Sequence, residues 1–326
     1  SSLTSINISD SVTSIGENAF RYCDNLTVYT SSDYVANYAK ENNIKYVLDK
    51  TPPTIKITAY KSNDNGNVGE QLKEAIEYKT NGTYSVPQWV NSKVWFKLEA
   101  TDNLAMESNW KWNNGNVYED TEEEYAGGSE DILDVGEIYK SINSPGWRKA
   151  QYTVTDAVGN SIVVNVEVKI EKEKPSLEIG EYPTEWTNKD ILIPIKAEDK
   201  QSGVSATGNG SNISINNGQG IYKVEENGKY TIEVTDEAGN KETKEVEINN
   251  IDKDKPTLEV TGNPSKWTKE EVTLKVNAND KESGLAEKAY SFDGGNTWQS
   301  KNEKTYTENT NNIIIKVKDK VGNIAE

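Results

Sequence analysis

Apolar and polar residues alternate with a period of two over many short stretches of this 326-residue chain. Val94, Phe96, Leu98 and Ala100 fall on one face of a predicted strand. Ile191, Ile193, Ile195 and Ala197 repeat the pattern, as do Val272, Leu274, Val276 and Ala278. The opposite face carries Lys97 and Glu99, Lys196, or Thr273, Lys275 and Asn277. Such alternation predicts sheets with one buried and one solvated face, as in a two-sheet sandwich. Pro194 is a departure, because a proline cannot donate to a central ladder; an edge position or a bulge is predicted there. A short helical pattern runs around Glu70 to Tyr78.

The strands recur at a fixed interval. Lys174-Pro175-Ser176-Leu177-Glu178 returns as Lys255-Pro256-Thr257-Leu258-Glu259, and Pro183-x-x-Trp186-Thr187 returns as Pro264-x-x-Trp267-Thr268. Pro175 to Pro256, Trp186 to Trp267 and Asp199 to Asp280 all share one offset, which marks a duplicated domain. A third, earlier copy starts near Pro53, with Trp89 as its Trp. Asp102 follows Trp89 at the spacing that separates Trp186 from Asp199 and Trp267 from Asp280. Two insertions stretch this copy, about Lys61 to Thr83 and an acidic, loop-like segment from about Glu119 to Pro145 that contains Glu122-Glu123-Glu124. Turn residues that tolerate positive φ follow in each copy: Asn113-Asn114-Gly115, Asn216-Asn217-Gly218 and Asp293-Gly294-Gly295. A second turn closes each copy, at Asp156 to Asn160, Asp236 to Asn240 and Asp319 to Asn323. About seven short strands per copy read as an immunoglobulin-like sandwich. Glu171 to Lys174 and Asp252 to Lys255 read as short charged linkers, and the last copy ends at Glu326 ahead of its final strand.

Composition narrows the chemistry. With 36 Lys and Arg against 53 Asp and Glu, the net charge is −17, which argues against nucleic acid and anionic lipid as partners. There is no His, so neither a Ser-His-Asp triad nor a His-ligated zinc site can be built, and Cys23 stands alone without a disulfide partner. No apolar run approaches the length of a membrane span. The chain opens Ser1-Ser2-Leu3 and holds one Met, Met106, so it reads as a piece of something longer.

The first fifty residues follow another pattern, Leu3-x-x-Ile6-x-Ile8 leading to Val12, Ile15, Phe20, Cys23 and Leu26. The interval from Leu3 to Leu26 lies within the leucine-rich-repeat range of about 20–29 residues. The string SVTSIGENAFRYCDNLT resembles the BspA-like leucine-rich repeats of bacterial surface proteins, and Tyr34 to Ile44 resembles the helical cap that closes those arrays. In that resemblance Cys23 is a buried packing position. The three later copies resemble the Ig-like and HYR-like modules strung along Gram-positive surface proteins, whose marks are AxDxxSG and VxDxxGN. The fold expected is therefore mainly β: a leucine-rich-repeat terminal cap over 1–50, then three tandem immunoglobulin-like β-sandwiches over 51–172, 173–253 and 254–326, the last truncated at its final strand.

Several residues are candidates for chemistry. Asp102, Asp199 and Asp280 carry the inward parity of their strands, and so do Asp156, Asp236 and Asp319. If their strands are B and F of a sandwich, each pair meets at one pole. An inward carboxylate needs donors or a cation. It either caps its own turn by accepting backbone N–H groups, or joins loop carbonyls in holding Ca²⁺. Trp89, Trp186 and Trp267 are predicted as plugs between the sheets. Trp95 has outward parity; it is either covered by the insertion or exposed to stack on a sugar or partner. Ser291 to Trp298 fits the Asp-box seen in sialidases, which occurs here once and reads as a hairpin device.

Together these readings imply a non-catalytic stalk or adhesion fragment, extracellular and wall-associated, without an obligatory cofactor. It would act as a monomer, with a host or neighbouring-cell protein or glycan as partner. The alternative is the accessory, spacer region of a large extracellular glycoside hydrolase.

Overall fold

The computed structural model describes residues 3–103, 110–118, 132–133 and 137–326, with 110–118, 132–133 and 137–138 described as backbone alone. The chain divides into two compact units, Ser1–Glu173 with Glu237–Asn240, and Lys174–Asp236 with Lys241–Glu326.

The first unit begins with β1 (Ser5–Ile8), β2 (Thr27–Thr30), α1 (Asp33–Glu41) and β3 (Lys45–Leu48). The three strands form one parallel sheet, with Ser5 opposite Thr27 and Thr27 opposite Lys45. The step from β1 to β2 is thus one position shorter than the Leu3-to-Leu26 interval. Leu3 is accordingly exposed while Leu26 is buried, and the register aligns Leu26 with Thr4 instead. Local chemistry fixes both ends of α1. The Ser32 hydroxyl caps the Val35 N–H, and Asp33 and Lys40 complement the helix dipole. At the other end Asn43 takes φ +56, so that Ile44 N–H reaches Ala39 O and Asn43 N–H reaches Lys40 O, a Schellman closure. Val35, Ala36 and Ala39 form the buried face, and Ile44 and Cys23 pack at the edge of the same small core.

A sandwich follows, made of β4 (Thr54–Ser62), β5 (Val68–Tyr78), β6 (Gly82–Val90), β7 (Val94–Thr101), β8 (Trp110–Tyr118), β9 (Ile132–Leu133), β10 (Glu137–Ile142), β11 (Gly146–Thr155) and β12 (Ser161–Ile170). One sheet runs β10-β7-β4-β5 and the other β6-β12-β11-β8-β9. Their inner faces meet in a core that includes Ile55, Tyr84, Phe96, Leu98, Val154 and Val166. Residues 70–78 are a strand, not the short helix their pattern suggested. β5 hydrogen-bonds to the free edge of β4, and its apolar residues Leu72, Ile76 and Tyr78 pack against the core. The ladder slips register at Ile57, Ala59 and Tyr60, so the period of two is blurred in the sequence. The second insertion is likewise not all loop, since β10 inside it pairs with β7. Glu122 to Glu124 lie outside the described residues.

The second unit holds β13 (Ser176–Ile179), β14 (Ile191–Glu198), β15 (Val204–Gly208), β16 (Ser211–Ile213), β17 (Gln219–Val224), β18 (Gly228–Asp236) and β19 (Lys241–Ile248). After them come β20 (Thr257–Thr261), β21 (Val272–Asn279), β22 (Leu285–Ser291), β23 (Glu303–Tyr306), β24 (Lys316–Asp319) and β25 (Ile324–Ala325). Sheets β13-β14-β17 and β16-β15-β18-β19 enclose one core, and β20-β21-β23 and β22-β24-β25 enclose another. β14 alternates buried and exposed residues without a break. Pro194 sits in this middle strand rather than at an edge. Its carbonyl accepts from Gly180 N–H on the β13 side, so its nitrogen faces the same side, where β13 has already ended at Ile179. The missing N–H therefore costs only the reciprocal bond to Gly180 at the very end of the β13 ladder. Two residues of the final strand are present, with Ala325 opposite Val317.

Three pairs of sheets share one order of core strands. On one side the sheets run β4-β7-β10, β13-β14-β17 and β20-β21-β23; on the other they run β8-β11-β12, β15-β18-β19 and β22-β24-β25. In the first, β6 adds a parallel pairing to β12; in the next, the Thr187–Ile251 bridge is parallel too. That is immunoglobulin-like topology.

Candidate functional site

Each sandwich brings its two inward aspartates together at the end where β7, β14 or β21 finishes and the closing turn begins. In the first unit, carboxylate oxygens of Asp102 and Asp156 lie within 4.8 Å of each other; in the second, so do those of Asp199 and Asp236, and of Asp280 and Asp319. Turn capping is present at four of the six, Asp156, Asp319, Asp199 and Asp280. Asp156 Oδ1 accepts from the N–H groups of Val158, Gly159 and Asn160 at 2.9, 2.7 and 2.9 Å, and Asp319 Oδ1 does the same for Val321, Gly322 and Asn323 at 3.0, 2.6 and 2.8 Å. Glycine is required in both turns, with φ +101 at Gly159 and +95 at Gly322. Asp199 Oδ1 holds the N–H groups of Gln201 and Ser202, and Asp280 Oδ1 those of Glu282 and Gly284.

Two further carboxylates join these pairs, and the sequence pattern did not single them out. Asp49, just after β3, comes within 4.8 Å of Asp102 and Asp156. Asp252, in the linker ahead of β20, comes equally close to Asp280 and Asp319. Both are inside the protein: Asp49 is 4% exposed and Asp252 0%. Asp49 Oδ1 accepts from Thr51 N–H at 2.9 Å and from Asn103 Nδ2 at 3.4 Å, whereas its buried Oδ2 has no hydrogen-bond partner. Asp252 accepts from Asp254 N–H through Oδ1 and from Ser283 N–H through Oδ2, each at 3.1 Å. Ser283 is itself 3% exposed, and its hydroxyl has no partner.

The same clasp ties the linker to the closing turn in each unit. Asn160 Nδ2 donates to Asp49 O at 3.1 Å and to Asp156 Oδ2 at 2.8 Å; Asn323 Nδ2 donates to Asp252 O at 2.9 Å and to Asp319 Oδ2 at 2.7 Å. In these two copies the final Asn of the VxDxxGN stretch therefore bonds both its own sandwich and the chain entering it.

Electrostatically these are places of concentrated negative charge. Two carboxylate oxygens within 4.8 Å of each other repel by about 3 kcal/mol or more at an effective dielectric constant of ~20. Among the described residues no Lys or Arg forms an ion pair with Asp252, Asp280 or Asp319. The Lys320 ammonium lies over Gly284 without pairing to any of the three. Partial burial and then the charges of Asp252, Asp254 and Asp280 push the Glu282 carboxyl above the usual glutamate range. Such an arrangement offers oxygen ligands for a hard cation and acceptors for N–H groups.

The aromatic candidates fall out differently. Trp95 is 9% exposed, and its indole N–H donates to Gly66 O at 3.2 Å, under the turn joining β4 to β5. It is covered by the insertion and is no platform for a sugar or partner. Trp267 is 90% exposed and Trp186 39%, so neither plugs a core, and Trp89 is half-buried beneath the Lys169 ammonium. In the first sandwich Val90, next to Trp89, is the residue that turns inward, which leaves Trp89 on the outer face. Around Asp293 a tight hairpin forms: Oδ1 accepts from Thr297 N–H at 2.9 Å and Ser291 Oγ at 2.8 Å, and Oδ2 from Thr297 Oγ1. Those bonds, that of the Thr297 hydroxyl foremost, hold the Asp293 carboxyl well below the usual range. Every one is internal to the turn.

A tandem array of immunoglobulin-like sandwiches is the class this arrangement defines. No protein-family model matches the chain, and no curated protein sequence matches it. Among solved structures it is similar to murine CEACAM1b, at 14% identity and a TM-score of 0.32 over 51% of this chain and 98% of that one. It is also similar to the N-terminal eight Ig domains of Down syndrome cell adhesion molecule, at 9% identity and 0.33 over 78% and 44%. The extracellular cadherin domains 3–6 of protocadherin gamma B2 match at 15% and 0.25 over 65% and 57%. At TM-scores this low nothing about this chain's role is carried over from them. No helix among the described residues is long and apolar enough to cross a membrane.

Proposed function

We propose that this chain is a non-catalytic stalk and adhesion segment of an extracellular, wall-associated bacterial surface protein. Residues 1–50 are the terminal repeat and cap of a BspA-like leucine-rich-repeat domain. Residues 51–172, 173–253 and 254–326 are three successive Ig-like modules that hold the repeat domain away from the surface. The partner class is a host or neighbouring-cell protein or glycan.

The observation that carries the reading is the clasp at the entry to a sandwich. Asn160 and Asn323 each bond a linker carbonyl, of Asp49 and of Asp252, while the side chain of that same linker residue is buried against the sandwich's own turns. Satisfied polar groups of this kind resist separation of neighbouring modules in a way a solvated linker does not. The parallel ladder of β1, β2 and β3, which sets Ser5 beside Thr27 and Thr27 beside Lys45, supports the repeat assignment. The Asp293 hairpin spends its hydrogen bonds on itself, which favours a structural role over a hydrolytic one.

Single-molecule stretching of the full chain tests the proposal. Discrete module-by-module unfolding is expected, with the unfolding force lowered for the flanked module by Asn160→Ala and by Asn323→Ala. Extension at low force without discrete steps would refute the stalk reading. So would turnover of an aryl glycoside or sialoside that Asp293→Ala abolishes.

A further inference from the structure

We propose that the two acidic clasps are divalent-cation sites, with Ca²⁺ as the ion: Asp49, Asp102 and Asp156 in the first unit, and Asp252, Asp280 and Asp319 in the second. The site is not a feature of the sandwich alone, because one of its three carboxylates belongs to the incoming chain.

Proximity of acidic groups would not by itself identify a site. What points to a ligand is the environment of the buried groups around each cluster. Asp49 is only 4% exposed, its Oδ2 meets no donor, and it faces two more carboxylates within 4.8 Å. A buried carboxylate oxygen without a donor or counter-charge is costly, and a cation supplies what is missing. In the second cluster Asp252 is completely buried, and beside it the Ser283 hydroxyl is 3% exposed and unpartnered, available as a neutral oxygen ligand.

Capping and metal binding do not compete here. Asp280 caps its turn through Oδ1 alone. Asp319 concentrates three N–H groups on Oδ1 and gives Oδ2 a single amide donor. A carboxylate has about four lone-pair positions, so each aspartate keeps an oxygen for the ion while the N–H bonds hold that oxygen in place. The ligands are all oxygen, which excludes a soft metal. They come from three separate segments with irregular spacing, which suits Ca²⁺, with its variable coordination number, better than Mg²⁺, which demands a near-ideal octahedron.

The test uses the full chain stripped with EDTA and titrated with CaCl₂, followed calorimetrically and by thermal unfolding. At least two equivalents should bind, with Kd of roughly 0.1–1 mM or tighter. At 10 mM CaCl₂, Tm should rise by about 5 °C or more, with a smaller effect from MgCl₂. Asp49→Asn keeps the one oxygen that accepts hydrogen bonds, so it should remove one equivalent while leaving the apo Tm close to that of the parent; Asp252→Asn gives up one of its two acceptors, so it should remove the other equivalent and lower the apo Tm as well. If a variant fails to fold, Tb³⁺ luminescence sensitised by the aromatic residues of the parent, and its displacement by Ca²⁺, gives the same reading. No binding at 10 mM CaCl₂, or stoichiometry unchanged in both variants, would overturn the inference. The stalk proposal would survive that result, because the clasp hydrogen bonds need no metal.

Discussion

Replacing Tyr84 by Phe removes one oxygen from the centre of the first sandwich, and the structure sets how much that should matter. Tyr84 is fully buried on β6. Its hydroxyl accepts from Ala59 N–H at 3.1 Å and lies 3.2 and 3.1 Å from the carbonyls of Lys73 and Glu74, to which it donates. Ala59 sits where the β4–β5 ladder slips register, so the phenol takes the place of a missing ladder acceptor. Phe keeps the edge-on contact with Phe96 and the Lys73 ammonium over the ring, so packing is conserved while a buried N–H loses its partner. An orphaned buried donor costs about 1–3 kcal/mol, a fall in Tm of roughly 2–8 °C for each kcal/mol in domains of this size.

The pH dependence provides a second, independent check. Burial pushes the Tyr84 hydroxyl up to about 12, from 10 in the unfolded chain. A group whose folded pKa is raised contributes fully below its unfolded pKa and loses that contribution as pH rises through the folded one. The Tyr84 contribution is therefore intact up to about pH 10 and fades toward pH 12, by on the order of 1–3 kcal/mol. Phe does not titrate. The stability gap between parent and Tyr84→Phe, measured by denaturant unfolding at pH 7, 9 and 11, should be widest at pH 7 and 9 and shrink at 11. Equal stability at pH 7, or a gap that stays constant to pH 11.5, would refute the account.

Two other outcomes follow from single residues. Gly262 has φ +87, and a Cβ there would fall 2.1 Å from Thr273 O, so Gly262→Ala should destabilise the β20–β21 pairing by about 1–3 kcal/mol; calorimetry of the full chain should show one transition lowered and the others unmoved. Because its turn holds the Asp293 carboxyl below the ordinary range, its contribution is present above about pH 4 and lost as pH falls through the folded value. Asp293→Asn should therefore reduce hydrogen-exchange protection of Thr297 at pH 6 but not at strongly acidic pH; equal protection of parent and variant at pH 6 would count against it.

The strands of the cores were legible because one side of each sheet is dry and the other wet. Ile191, Ile193, Ile195 and Ala197 are buried while Leu192, Pro194, Lys196 and Glu198 are exposed, a pattern that neighbours cannot blur. β5 escaped because its ladder slips three times against β4, and each slip resets the inward parity. The tryptophans misled for a related reason. A large apolar residue before a core strand suggests a plug, but the parallel pairing of β6 to β12 turns Val90 inward and leaves its neighbour Trp89 outside. The aspartate pairs could be found from parity and repeat spacing. Asp49 and Asp252 could not, because a carboxylate in a charged linker looks solvated. The only signal was positional: each stands a few residues before the Pro that opens a sandwich.

The burial of Asp252 also bears on how such a protein can be recombined. A cut between Lys255 and Pro256 looks natural in the sequence, yet it would leave behind the carbonyl that Asn323 grips and the carboxylate that Ser283 caps. A cut after Ile248, at the end of β19, carries both along with the sandwich they serve, but takes from the preceding one Ile251, which belongs to its core. The segment from Asn249 to Asp252 thus answers to two owners, one through a hydrophobic side chain and the other through an acidic one. Shuffling such domains without loss requires copying that segment into both donor and recipient, so inheritance in this chain is by overlapping blocks.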